Sequence, residues 1–167
     1  IGNTSTVLSL ELVQLIESIK HYDKQINQVQ EEINLLIIEL NSPITSIPRI
    51  GSHLVAIILA EIKNIHNFKN PNQLQAFAGV DPAIYQSGQL DAQEKMVKRG
   101  SSHLRWALIQ AAIKVARYSP AFKAYFKTKL AQGKHYNVAI SHVAKKLIRV
   151  LFYLLKNNET FDEDKLR

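Results

Sequence analysis

The chain has 167 residues, no cysteine, a formal net charge of +7 and a pI near 9.6. Its length suits one domain, or one domain with an extension, and is enough to bury a real core. The lack of cysteine excludes a disulfide framework and thiolate metal sites, and the longest apolar runs, Leu54 to Ala60 and Val150 to Leu155, fall far short of the roughly 20 residues of a membrane span. The opening IGNTSTVLSLELV has neither the basic start nor the cleavage pattern of a signal peptide, so the chain reads as an internal fragment of a cytoplasmic protein.

The charge is unevenly spread. Residues 1–45 hold two lysines against six acids, a balance of −4, and residues 159–167 balance at −2. Residues 46–158 hold 17 Lys and Arg against Glu61, Asp81, Asp91 and Glu94, a balance of +13. A concentrated cation of this kind suits a polyanionic partner, with nucleic acid foremost, and the plain alternative is a solvated basic surface.

In chain order, Leu8, Leu12, Leu15, Ile19, Tyr22, Ile26, Val29, Ile33, Leu36 and Leu40 alternate spacings of four and three. This heptad repeat predicts a coiled-coil helix over residues 1–43, capped by Ser5 or Thr6, ended by Asn41 to Pro43 and about 50 Å long. Self-association through that seam is the expectation. Residues 44–62 follow as a short apolar segment, a tight turn from Pro48 to Gly51 and an apolar helix, the pattern of a helix-hairpin-helix. There Arg49, Gly51 and Ser52 stand where turn amides and a helix N-terminus meet a phosphate; an ordinary core hairpin explains the pattern equally well.

Asn70 and Pro71 open a short helix through Ala78, with Leu74 and Phe77 inward and Gly79 at its end. Residues 80–100 show no helical stripe and contain Pro82, Gly88 and Gly100, so they form a long loop. Ser101 or Ser102 caps the next helix, with the stripe Leu104, Leu108, Ala111 and Val115. A further helix groups Phe122, Tyr125, Phe126 and Leu130, and the aromatics Tyr118, Phe122, Tyr125 and Phe126 read as core rather than as a base-stacking platform. The last, about 137–156, buries Ile140, Val143, Leu147, Leu151 and Leu154 and exposes Lys145, Lys146 and Arg149; residues 159–167 are an acidic tail. The fold class is all-α.

Chemistry concentrates in and after the 80–100 loop. Ser87 precedes Gly88, and Lys95, Lys98, Arg99, His103 and Arg105 follow. A serine attacking a phosphodiester needs an exposed hydroxyl, backbone freedom for the phosphate and cations to stabilise the transferring group. Ser-Gly is also a common turn dipeptide, so a plain turn stays open. The six histidines show no metal-ligand spacing, Asp81, Asp91 and Glu94 fit turn caps better than a magnesium site, and no HExxH, phosphate-binding glycine loop or GxSxG occurs. No metal or cofactor is expected in this chain.

Three stretches in order, IPRIGSHLVAIILAEIKNIHNFKNPNQLQAFAGVDPAIYQSGQL, KRGSSHLRWALIQAA and GKHYNVAISHVAKKLIRVLFYLLK, resemble the C-terminal domain of the insertion-sequence one-ten family of transposases, covering 44–156. The helix before them is similar to the coiled coil that precedes this domain in the family. The resemblance implies a DNA-binding part of a transposase, with domain limits 44–158, whose serine in the YQSG segment, Ser87 here, forms a covalent phosphoserine link to DNA. It also implies an N-terminal RuvC-like nuclease domain, absent from this chain, whose four acids bind magnesium, a structured guide RNA as partner, and association with the nucleoid. Arg49 departs from the family's PGIG hairpin. On this reading the fragment binds nucleic acid and self-associates but does not recombine DNA alone. A non-catalytic helix-hairpin-helix binding module and a coiled-coil scaffold are the rival classes.

Overall fold

The computed structural model describes residues 3–80 and 99–166, with side chains from residue 7 onward. Among these residues all regular structure is helical. Helix α1 (Asn3–Leu40) is followed by a 3-10 turn (Pro43–Ser46), α2 (Ser52–Ile62), a second 3-10 turn (Ile65–Asn67), α3 (Pro71–Ala78), α4 (Ser102–Tyr118), α5 (Pro120–Ala131) and α6 (Tyr136–Asn157). The all-α expectation holds, and no described helix is long and apolar enough to cross a membrane.

Helix α4 lies at the centre, against α2, α5 and α6. Its inward face combines Leu104, Leu108 and Val115 with Ala107, Ala111, Ala112 and Ala116, all buried. Four small side chains let neighbouring helix axes approach closely, and the branched residues of α6, including Leu147, Ile148 and Leu151, fill the space they leave. Ser119 and Pro120 then turn the chain: Pro120 suits the first position of α5, which has no use for its amide hydrogen.

Only the C-terminal end of α1 touches this domain. Ile37 is buried and Ile33 half-buried against α2, while every seam residue from Leu8 to Val29 stays between 59% and 62% exposed. The Ser52 hydroxyl donates to Asn34 and lies 3.5 Å from the Gln30 amide, tying the start of α2 to α1.

Three expectations of burial or exposure are corrected. Phe77 is 38% exposed, its ring tilted against that of Phe68 with centres 5.5 Å apart; the buried face of α3 is made by Leu74, Gln75 and Ala78, which leaves Phe77 at its edge. Tyr118, at the last turn of α4, is 49% exposed. Lys145 and Lys146, expected on an open face, are half-buried, because the segment after α6 folds back over them.

That segment is held by specific contacts. Phe161 stacks on Phe122 at 6.3 Å, and its amide donates to the Ser46 hydroxyl at 2.7 Å. The Glu163 carboxylate accepts from the buried Ser119 hydroxyl and, at 3.2 Å, from the Ala121 amide. A carboxylate at the first turn of α5 satisfies an orphan donor and meets the positive end of the helix dipole.

The turn before α2 carries a non-glycine residue in a left-handed conformation, Arg49 at φ 66°. This costs an L-residue roughly 1–2 kcal/mol, and the guanidinium offsets part of the cost by lying 5.2 Å over the Tyr118 ring. Arg49→Gly and Arg49→Ala both lose the ring contact, but only glycine adopts positive φ freely. Chemical denaturation is therefore expected to find Arg49→Gly more stable than Arg49→Ala by about 1 kcal/mol. Equal stabilities would show that the turn relaxes at no cost.

Candidate functional site

Ser87, Lys95 and Lys98 lie outside the described residues; the two ends of their segment are described and rest on the same turn. Gly79 closes α3 in a left-handed conformation at φ 65°, and the Val80 amide donates to the Gln75 carbonyl at 3.2 Å. Val80 is buried, which fixes where the segment departs. On the return side Gly100 has φ +111°, and the Ser101 amide donates to the Phe77 carbonyl at 2.8 Å. Gly100 passes so near that a Cβ there would stand 2.2 Å from the Phe77 carbonyl oxygen. Its freedom is therefore used twice, for the dihedral and for the approach.

Ser101 completes the anchor. Its hydroxyl oxygen accepts from the Leu104 amide at 3.0 Å, capping α4, and its proton goes to the Glu61 carboxylate at 2.7 Å, at the last turn of α2. This chooses Ser101 over Ser102 as the cap. Glu61 is one of the few acids of the basic segment, and its position pins α2, α3 and α4 at one corner.

The corner is cationic. Arg99 and His103 are exposed, and Arg105 is half-buried with its guanidinium 3.4 Å from the Ala78 carbonyl, an end-of-helix acceptor. Arg105 is thus shared between closing α3 and presenting charge. The hairpin residues are elsewhere. Arg49 sits over Tyr118, the last residue of α4, whereas His103 is near the first. Fifteen residues of helix separate them, about 22 Å at 1.5 Å per residue. The described candidate residues form two groups at opposite ends of α4, not one cluster.

Gly51 precedes α2 with an ordinary φ of −71°, is exposed, and a Cβ there would meet nothing within 4 Å. The fold does not need a glycine at this position. Ser52, the other small residue of the turn, has its hydroxyl engaged by α1. Among the described residues no three His, Asp or Glu converge where a metal ion would sit.

One basic feature went unassigned in the sequence. Lys145, Lys146 and Arg149 line a cleft of about 630 Å³ with Tyr125, Tyr153 and Phe161. Lys146 donates to the Leu166 carbonyl at 3.1 Å and lies 4.9 Å from the Tyr125 ring centre; burial lowers its pKa from the ordinary lysine value. The heptad-free basic stripe of α6 signalled the cations, but nothing in the sequence indicated that the tail would wall them in.

The geometry can be set beside known proteins. Residues 41–127 match the family model described as Transposase IS116/IS110/IS902 family, just over half of the chain. The chain belongs to that transposase family. Among its relatives, the pilin gene-inverting protein of Moraxella bovis is 30% identical over 156 residues, covering 88% of this chain and 48% of that protein. The transposase for insertion sequence element IS1111A of Coxiella burnetii is 27% identical, covering 92% and 42%. The insertion element IS110 protein of Streptomyces coelicolor is 26% identical, covering 95% and 40%. The chain therefore spans less than half the length of these curated relatives, and the matched region contains both groups of candidate residues and the whole Ser87 segment.

Proposed function

We propose that this chain is the DNA-engaging part of a transposase that moves an insertion sequence, and that Ser87 is its nucleophile within a longer protein. The family match over residues 41–127 carries the reading, since that region includes Ser87 and the cationic corner on which its segment is anchored. In the proposed step the Ser87 hydroxyl oxygen attacks a backbone phosphorus. A P–Oγ bond forms, the bond to one bridging oxygen breaks, and the serine proton ends on the departing hydroxyl by way of a base or water. Attack by a DNA hydroxyl on the phosphoserine reverses the exchange and rejoins a strand, so the energy of the phosphodiester is retained and no other reactant is needed. Lys95, Lys98, Arg99, His103 and Arg105 favour the charge on the phosphoryl group. The acidic nuclease domain and its magnesium belong to the remainder of the longer protein, and a structured RNA is the proposed guide.

Two basic groups about 22 Å apart suit an extended polyanion better than a small ligand. Binding of this chain to duplex DNA, measured by fluorescence anisotropy over a salt series, is expected to weaken steeply, with a log–log slope of roughly −3 or steeper for several phosphate contacts. A flat salt dependence would remove the nucleic-acid reading, and tighter binding of structured RNA than of duplex would place the guide first. Gly51 gives a finer test. Because its missing side chain serves nothing in the fold, Gly51→Ala is expected to leave the melting temperature within a few degrees while lowering DNA affinity about 3–10-fold, as close approach of a phosphate to the α2 amides requires. Unchanged affinity would take the hairpin out of the interface.

A further inference from the structure

We infer that the open face of α4 is a binding surface for an unpaired strand of nucleic acid, with Trp106 stacking on one of its bases. The inference rests on the proposed nucleic-acid role and deepens it, but does not depend on Ser87. His103, Trp106, Gln110, Lys114 and Arg117 follow one another at spacings of three, four, four and three. At 3.6 residues per turn they fall within about 80° of arc and span roughly 21 Å. His103, Lys114 and Arg117 are exposed, Gln110 is half-buried and Trp106 is 50% exposed. The rest of α4 packs against α2, α5 and α6.

This stripe joins the two groups of candidate residues. It begins at the corner that carries Arg99 and anchors the Ser87 segment, and Tyr118, with Arg49 over its ring, borders its far end. A lone exposed tryptophan is ordinary on a protein surface; Trp106 is set apart by the company it keeps. No Asp or Glu occurs in the chain between Glu94 and Glu159, and among the described residues neither Lys114 nor Arg117 has an ion-pair partner. Both cations are therefore available to phosphates. A track of this composition matches a strand group by group: the cations follow the backbone, the indole takes the face of a base, and the Gln110 amide suits a base edge.

The geometry favours an unpaired strand over a duplex. The major groove, about 12 Å wide, takes in a whole helix, whereas α4 is enclosed by its neighbours and offers one narrow strip. Base faces in a duplex are occupied by the adjoining base pairs. A half-exposed indole finds a free face only where the strand is unpaired.

The chain has one tryptophan, so its fluorescence reports on Trp106 alone. That fluorescence is expected to be quenched by a thymidine oligonucleotide of about twelve nucleotides and left largely unchanged by a duplex of the same length. A uridine oligonucleotide separates RNA from DNA as the source of the strand; quenching by either supports the surface, and the tighter of the two names the strand. Trp106→Ala is expected to weaken single-strand binding about 5–150-fold, the loss of one base stack, with duplex affinity changed by less than about twofold, both read from the anisotropy of labelled oligonucleotides. Trp106→Phe, which keeps a ring, is expected to recover most of that loss. Replacing Lys114→Gln and Arg117→Gln together is expected to flatten the single-strand salt slope by about 1.4, for two phosphate contacts. Fluorescence unchanged by both single strands, or single-strand affinity unaltered in Trp106→Ala, would overturn the inference. Duplex binding that kept its steep salt dependence in that case would leave the proposed function standing.

Discussion

Ser87→Ala, introduced into the longer transposase, is expected to abolish the covalent protein–DNA adduct and to lower strand transfer by at least about 10³-fold, with DNA affinity changed by less than about twofold. The split follows from the proposed chemistry: the substitution removes one oxygen that would act only on the reacting phosphorus, while the cations proposed to hold DNA stay in place. Trapping the adduct after denaturation and digestion, then mapping the modified peptide, provides the measurement. Among the described residues, the hydroxyl of Ser101, which follows the segment, is committed to the Leu104 amide and the Glu61 carboxylate. An adduct that persists in the Ser87→Ala protein would reduce Ser87 to a turn residue and leave a basic binding module.

Gly100→Ala is expected to be the most damaging glycine substitution in the described domain, destabilising it by about 2–4 kcal/mol. Two costs coincide there. The dihedral of +111° is a conformation nearly confined to glycine, and the new Cβ would stand 2.2 Å from a backbone oxygen that does not move without unwinding the last turn of α3. Gly133 provides a control, since its φ is +75° but a Cβ would meet nothing within 4 Å; Gly133→Ala should cost only about 1–2 kcal/mol. For a chain of this size, thermal melts are expected to separate the two by several degrees, at about 2–4 °C per kcal/mol. A Gly100→Ala protein that melts with the unmodified chain would mean that the anchor at Phe77 is dispensable. The variant also tests function, since loosening this anchor would degrade strand transfer without touching Ser87.

The helices were legible because their signals are local. Asn70 before Pro71, Gly79 after Ala78 and the Leu104, Leu108, Ala111, Val115 stripe each fix an element without reference to the rest of the chain. The family resemblance was legible in three ordered motifs and is matched by residues 41–127. Interactions between distant residues left no comparable trace. The Ser101–Glu61 bond joins residues 40 apart and the Ser119–Glu163 bond residues 44 apart; composition marked both acids only as charges in a tally. Tyr118 misled because its helical spacing from Phe122 suggests a shared face, whereas Ser119 and Pro120 end one helix and begin another between them. Arg49 and Arg105 lie far apart for the same kind of reason: sequence proximity to Gly51 or to Ser87 says nothing about which end of α4 each reaches.

The anchoring of residues 80 and 101 to carbonyls only two positions apart on α3 separates the length of the intervening segment from the fold. The domain experiences that segment as a closed loop whose span is already set, so doubling its length adds only about 0.6 kcal/mol of closure cost. A longer, shorter or rewritten stretch between residues 80 and 101 is therefore expected to leave the frame of Phe77, Gly100 and Ser101 unchanged, and a change there need not be accompanied by compensating changes in the core.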